Sequence, residues 1–267
     1  MTKTVGVIAI KGGVGKTTTT VNIGASLAND FGKKVLIVDG NYSAPNLGLH
    51  IGVVKPKKTL HDVLSGKLPI KNAIHTHDEG FDYLPSNLIH KKIDVYKLKQ
   101  KLSEVRNDYD VILVDSSPNL NHEMLSTIVA SDELLVVTTP DYPTLSATMN
   151  AVRIAKERRT PISGLVLNKV RNKNFELSLS DIEESTNTPV LAVLDDDVKV
   201  LHSLAETLPF TTRSPTANAA VEYKHLAAAL VGEKFNDGRF ASKIKNLFGS
   251  SKQEINRTLY KDLAKWK

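Results

Sequence analysis

The sequence predicts an α/β fold in which a mostly parallel, twisted sheet carries helices on both faces, and three observations lead there. Short apolar runs recur at residues 5–10, 34–39, 110–115, 133–138, 162–167 and 190–194. Their apolar residues are consecutive rather than alternating, which suits parallel strands buried on both faces. Stretches with helical apolar spacing separate many of them, and strands alternating with helices define a parallel sheet joined by right-handed crossovers. Finally, the first run passes through a glycine-rich turn into a helix, the order of a phosphate-binding loop.

That loop is Lys11-Gly12-Gly13-Val14-Gly15-Lys16-Thr17-Thr18. Its glycines let consecutive backbone N–H groups point inward, and the following helix adds the positive end of its dipole, so a polyphosphate finds donors and favourable potential together. Lys16 is placed to bridge β- and γ-phosphates and the Thr17 hydroxyl to ligate Mg²⁺. The fold class is therefore P-loop NTPase-type. Two details depart from the general motif: Ile10 stands where the first glycine belongs, and a second lysine stands at Lys11. Lys11 is either an extra phosphate contact or a solvated charge, and the spacing favours the contact.

Beyond the loop, residues 17–31 read as a helix through Val21, Ile23, Leu27 and Ala28, stopped by Gly32. The run at 34–39 ends in Asp39. Residues 40–49 hold too many turn formers to be regular. A short helix is expected at 59–65, a strand at 81–84, and an amphipathic helix at 93–106 through Val95, Leu98, Leu102 and Val105. The run at 110–115 ends in Asp115, a Walker B-like strand delivering a carboxylate that holds Mg²⁺ through water. Helices follow at about 143–158 and within 176–185. In such a sheet the ligand sits at the carboxyl ends of the strands.

Asn168-Lys169-Val170-Arg171 begins like a guanine-reading motif but places Arg171 where the base-pairing carboxylate belongs, so adenine is favoured. Asn168 either offers its amide to the adenine edge or is an ordinary strand-end turn residue. His75-Thr76-His77-Asp78 reads as a solvated loop rather than a metal site. Asp195-Asp196-Asp197 reads as a helix cap. Neither H-E-x-x-H nor G-x-S-x-G occurs, leaving zincin and serine-hydrolase chemistry without support.

The chain has 267 residues and a formal net charge of +6. Residues 236–267 hold eight basic and three acidic side chains, so the rest of the chain is nearly neutral. The expected organisation is an ATPase domain at 1–235 and a basic amphipathic tail at 236–267. The absence of cysteine excludes disulfides, thiolate metal sites and iron–sulfur clusters, and fits a reducing cytosol. The apolar run at 5–10 is too short for a signal peptide, and no run approaches the roughly 18 residues of a membrane span.

From residue 5 to about 230 the order of segments resembles the MinD/ParA family of deviant Walker A ATPases, in its MinD branch. The resemblance rests on the loop with Lys11, on Asp39 followed by Ala44-Pro45-Asn46-Leu47-Gly48-Leu49, on Asp115, on Thr139-Pro140-Asp141, and on Asn168. It implies ATP and Mg²⁺ as cofactors and an ATP-dependent homodimer in which Lys11 reaches the partner's phosphates. It also implies slow hydrolysis, an activating or cargo protein of unknown identity, and reversible attachment to a surface such as the inner face of the cell membrane from the cytoplasm. Carried over residue by residue, Lys11, Lys16, Asp39, Asn41 and Asp115 serve catalysis. Gly12, Gly13, Val14, Gly15, Lys16, Thr17, Thr18, Asp141 and Asn168 hold nucleotide, while Thr17, Asp39 and Asp115 surround the metal. One departure touches chemistry: the family's switch I has Asp-x-Asp, and this chain has Asp39-Gly40-Asn41. An amide orients water but accepts no proton, so slower hydrolysis is expected. Asp195 stands where the family commonly has a proline near adenine.

In the tail, Phe240, Ile244, Leu247 and Phe248 gather on one helical face with Lys243 and Lys245 flanking it. This is either an interfacial membrane helix, with lysines reaching anionic headgroups, or a last helix docked on the domain. The stretch also resembles the membrane-targeting sequence of MinD. After Gly249-Ser250-Ser251 comes a second stripe, Ile255, Leu259, Leu263 and Trp266, with Asp262 inside its arc, a poorer membrane helix suited to a partner protein. A ParA-like partition ATPase acting on DNA is a competing reading. The near-neutral body counts against nucleic acid and the basic tail keeps it open. A nucleotide-gated adaptor without hydrolysis is the third reading.

Overall fold

A computed structural model describes residues 2–88, 94–237 and 251–265. The described chain builds one eight-stranded sheet, β1 (Lys3–Ile8), β2 (Val35–Gly40), β3 (His75–Thr76), β4 (Asp82–Leu84), β5 (Val111–Ser116), β6 (Glu133–Thr138), β7 (Ile162–Val170) and β8 (Val190–Asp195), in the order β3-β4-β2-β5-β1-β6-β7-β8. Every pairing is parallel except β3 with β4. The predicted sheet is therefore what the chain forms.

Why these runs are continuously apolar is visible in β2 and β5. Val35 and Ile37 pack with Leu113 on one face, under α1 (Lys16–Asn29) and α10 (Asn218–Leu230), while Leu36 and Val38 pack with Ile112 and Val114 on the other. That second face is covered by α3 (Leu60–Leu64), α4 (Leu98–Ser103), α5 (His122–Ala130), α6 (Tyr142–Glu157) and α7 (Leu179–Thr186). With both faces dry, each strand residue gains from being apolar.

Several local expectations change. Residues 47–50 form a one-turn helix, α2 (Leu47–His50), because the Asp39 carboxylate accepts from the Leu47 N–H at 3.2 Å and so caps a turn that composition alone reads as irregular. The helix expected at 93–106 is shorter: a 3₁₀ turn at Val95–Lys97 leads into α4, and a second at Arg106–Asp108 follows it. Residue 93 lies outside the described residues. His75 and Thr76 are not loop but the antiparallel edge strand, and the rings of His75 and His77 stack on Tyr83 and Phe81. Asp197 does cap a helix, α8 (Val198–Ala205), accepting from the Lys199 N–H at 2.9 Å. A short α9 (Phe210–Arg213) precedes α10.

The membrane residues expected in the tail, Phe240, Lys243, Ile244, Lys245, Leu247 and Phe248, lie outside the described residues. Of the second stripe, Trp266 also lies outside the described residues, and the rest falls on α11 (Lys252–Lys265), which docks on the chain's own body at the amino-terminal ends of the strands. Arg257 pairs with Glu222 at 2.7 Å and donates to the Leu191 carbonyl at 2.9 Å. Asn256 donates to the Val190 carbonyl, and the Tyr260 hydroxyl donates to Glu133. Among the described residues no helix is long and apolar enough to cross a membrane.

Candidate functional site

The sheet brings the singled-out residues together at its carboxyl end. Because β5 lies between β1 and β2, Asp115 stands in register with both Val7, just ahead of the loop, and Asp39. Gly13 and Gly15 take left-handed backbone angles, φ +77° and +97°, which only glycine adopts without strain. Gly15 is also sterically fixed, since a Cβ there would sit 2.2 Å from the Asn168 amide nitrogen. That amide donates to the Val14 carbonyl at 2.7 Å, and Lys169 donates to the Gly13 carbonyl at 2.8 Å. The end of β7 thus engages the loop through two of its carbonyls.

Lys16, the first residue of α1, is 7% exposed, and burial pulls its ammonium below the ordinary lysine value although Asp115 acts in the other direction. The Thr17 hydroxyl donates to Asp115 Oδ2 at 2.6 Å, and Thr20 approaches the other carboxylate oxygen at 3.5 Å. Burial pushes Asp115 above the usual carboxylate range. Asp39 is pushed well above it, by burial first and by repulsion from Asp115 second, although the N–H groups of Asn41 and Leu47 donate to it. Two carboxylates and a hydroxyl, all oxygen donors, converge in a buried site beside the Lys16 ammonium. That donor set fits a small hard divalent ion beside a polyphosphate.

Asn41 is 3% exposed, its Nδ2 donates to the Ala44 carbonyl, and its Oδ1 is buried without a hydrogen-bond partner. A buried acceptor left open carries a cost, and a water or ligand donor at this position removes it. Lys11 points along the surface, with Nζ 3.3 Å from Asp141 Oδ1 and 2.9 Å from the Thr144 hydroxyl, and about 44% of its side chain exposed. Asp141 caps α6 through the Thr144 N–H. Against the effect of its burial, the Thr139 and Thr144 hydroxyls hold its carboxyl below the ordinary value. A cleft of about 300 Å³ opens between Gly12, Gly13, Pro140, Lys169 and Phe175. Arg171 faces Asp196, at 2.7 Å.

Sequence reasoning missed two groups. His50, on α2, donates from Nδ1 to the Asn46 carbonyl at 3.0 Å, which leaves Nε2 facing the Thr18 hydroxyl at 3.5 Å. Glu123, in the first turn of α5, accepts from Ser43 at 3.2 Å and so ties that helix to the segment after β2. An acidic residue just after an N-capping Asn121 is a visible signal for the helix start, but nothing local points it toward Ser43.

A glycine loop between a central strand and a helix, with two strand-end carboxylates beside it, defines a P-loop nucleotide-binding protein of the α/β class. A family model described as "AAA domain" matches residues 2–162. An uncharacterized ATP-binding protein of Methanocaldococcus jannaschii is 32% identical over 250 residues, covering 89% of this chain and 95% of the relative. The septum site-determining protein MinD of Bacillus subtilis is 29% identical over 262 residues, covering 90% of this chain and 95% of that protein. Among solved structures, MinD of Pyrococcus horikoshii complexed with Mg-ADP superposes with a TM-score of 0.81 at 30% identity, covering 86% of this chain and 96% of its own. The chain belongs to this AAA-domain family and, within it, to the MinD/ParA proteins.

Proposed function

We propose that the protein is a MinD-like ATPase that binds ATP with Mg²⁺, closes as a homodimer around two nucleotides, and attaches to the inner membrane surface to position a cellular structure such as the division site. The observation that carries this reading is Lys11. It stands at the mouth of the loop, half exposed and held by a pair with Asp141 and a hydrogen bond to the Thr144 hydroxyl. Exposed pairs contribute little, so the ammonium exchanges Asp141 for a second copy's phosphate at small cost. Within one subunit, the loop N–H groups and Lys16 hold the phosphates, and Thr17 and Asp115 hold the ion, which withdraws charge from the bond to be broken when it is bound. Asn168 and the cleft beside Pro140 are where the adenine side of the nucleotide belongs.

Hydrolysis is slow in this reading because Asn41 orients water through its open Oδ1 but takes no proton from it. Asn41→Asp raises the turnover number at least tenfold, and an equal or faster wild type in a phosphate-release assay sinks this part. Dimerisation is tested separately by light scattering with ATP. Lys11→Ala leaves nucleotide affinity within threefold and abolishes the dimer, whereas a dimer that survives the substitution removes the two-subunit site. Asn41 also supports a second reading, an adaptor whose output is assembly alone, recognised by intact ATP binding with negligible turnover.

A further inference from the structure

The short helix α2 is tied to the candidate site at both of its ends. At the first, the Leu47 N–H donates to Asp39 Oδ2 at 3.2 Å; at the last, the His50 ring stands beside the first turn of α1, with Nε2 3.5 Å from the Thr18 hydroxyl. Leu47 and Ile51 are buried in the core, which fixes α2 from below. The His77 ring, whose Nδ1 accepts from the Glu79 N–H, donates from Nε2 to the Ile51 carbonyl at 3.3 Å and secures the helix end. His50 is itself stapled, because its Nδ1 donates to the Asn46 carbonyl one turn earlier at 3.0 Å. In the neutral ring Nε2 is then an acceptor at a fixed point, and the Thr18 hydroxyl that faces it is the donor.

Thr18 is the third residue of α1, and the first bond inside that helix runs from the Thr19 N–H to the Gly15 carbonyl at 2.9 Å. The N–H groups of Lys16, Thr17 and Thr18 therefore meet no carbonyl within α1 and form the anion-seeking end of the loop. The Thr18 hydroxyl lies on that same turn and has one hydrogen to give. An imidazole nitrogen and a phosphate oxygen cannot both receive it. At 3.5 Å the bond to His50 is longer than the roughly 2.7–3.2 Å of a strong bond between nitrogen and oxygen, so it is weak and readily exchanged. We propose that His50 is a positioning residue, a catch that directs the Thr18 hydroxyl to itself in the free protein and yields it to a nucleotide phosphate, so that binding unties the end of α2.

This role rests on the nucleotide-binding reading and adds to it a residue that opposes binding. Lys16 and the loop N–H groups only gain interactions with a phosphate, whereas Thr18 gives up one partner for another. His50 therefore lowers affinity and does not raise it. The exchange also makes α2 a reporter of occupancy. Thr18 turns to a phosphate at one end of the helix and Asp39 turns toward the ion at the other, while the outer side of α2 and the turn after it carry the exposed Leu49 and Val54. Nucleotide thereby alters the hold on an apolar surface that it does not touch.

Titration calorimetry of the full chain with ADP and Mg²⁺ at pH 8 reads the sign. His50→Phe keeps a ring beside Thr18 but offers no acceptor, and it binds ADP about threefold more tightly than wild type, the gain from one weak hydrogen bond that no longer has to be broken. Unchanged or weaker binding overturns the catch. In a Thr18→Val background the same substitution changes affinity by less than about 1.5-fold, because the two residues act as one unit, and a gain as large as in wild type also overturns it. A two-bond ¹H–¹⁵N spectrum, assigned with His50→Phe, supplies a readout that a packing role leaves still. The His50 Nε2 resonance of wild type moves when ADP is added, and moves further than it does in Thr18→Val. A resonance that stays in place while ADP binds overturns the catch and leaves the nucleotide reading intact. If no form of the protein binds ADP, the nucleotide reading fails and the catch falls with it.

Discussion

At the amino-terminal end of the sheet, Arg257 is only 5% exposed yet meets Glu222 and a backbone carbonyl, whereas at the carboxyl end Lys16, Asp39 and Asp115 are as deeply buried and close no ion pair among the described residues. Burying a charge is costly unless it is paired. The first end is complete in the free protein. The second holds two carboxylates against their own repulsion and an ammonium pulled below its ordinary value, an arrangement that the proposed ATPase completes with phosphates and a cation. In that reading the contrast separates residues that serve folding from residues that serve a ligand.

Five substitutions break or sharpen it. Lys16→Ala has the largest expected effect, a loss of nucleotide affinity of at least about 100-fold, or about 2.8 kcal/mol, by titration calorimetry; Arg257→Ala leaves that affinity within threefold. For folding the order reverses. Arg257→Ala leaves the half-buried Glu222 with the Val193 N–H but no cation and destabilises the fold by about 3 kcal/mol in urea unfolding, and the double change with Glu222→Leu recovers part of the loss.

Asp115→Asn goes the other way and stabilises the nucleotide-free protein by roughly 2–4 °C, the shift expected for about 1 kcal/mol in a chain of this size. The sign follows from linkage: the folded carboxyl holds its proton above the usual carboxylate range, so the folded state binds more protons than the unfolded one in that window. Stability therefore falls as pH rises through it. The advantage of the Asn variant is full at neutral pH and vanishes in acid, and a gain that persists at pH 3 contradicts the cause given. Lys11→Ala has the smallest effect, under about 1 kcal/mol on thermal stability, because its pair with Asp141 is exposed.

The strands and the loop were readable from sequence because their signals are local: continuous apolar runs for β2 and β5, and a glycine pattern for residues 11–18. The rest depends on contacts between distant residues. The turn at 47–50 is helical because Asp39, on another element, captures the Leu47 N–H. The two-residue strand at His75 exists only through its pairing with Tyr83. The apolar stripe of α11 was visible, but the side it presents is not, because the Val190 and Leu191 carbonyls of β8, Glu183 of α7 and Glu222 of α10 call for donors and draw in Asn256 and Arg257 instead. That Lys16, Thr17 and Asp115 come together at one end of the sheet was legible, whereas Lys11's resting partner and the open oxygen of Asn41 required coordinates.

The central place of β1 has a further consequence, for the order of folding. Val5 pairs with Leu113 on one side and Glu133 on the other. The strand that leads into the glycine loop is therefore made more than one hundred residues before either strand that flanks it. Contacts so distant in sequence slow folding. Until β5 and β6 flank it, β1 presents an apolar strand with two open edges, a species exposed to misassembly during synthesis.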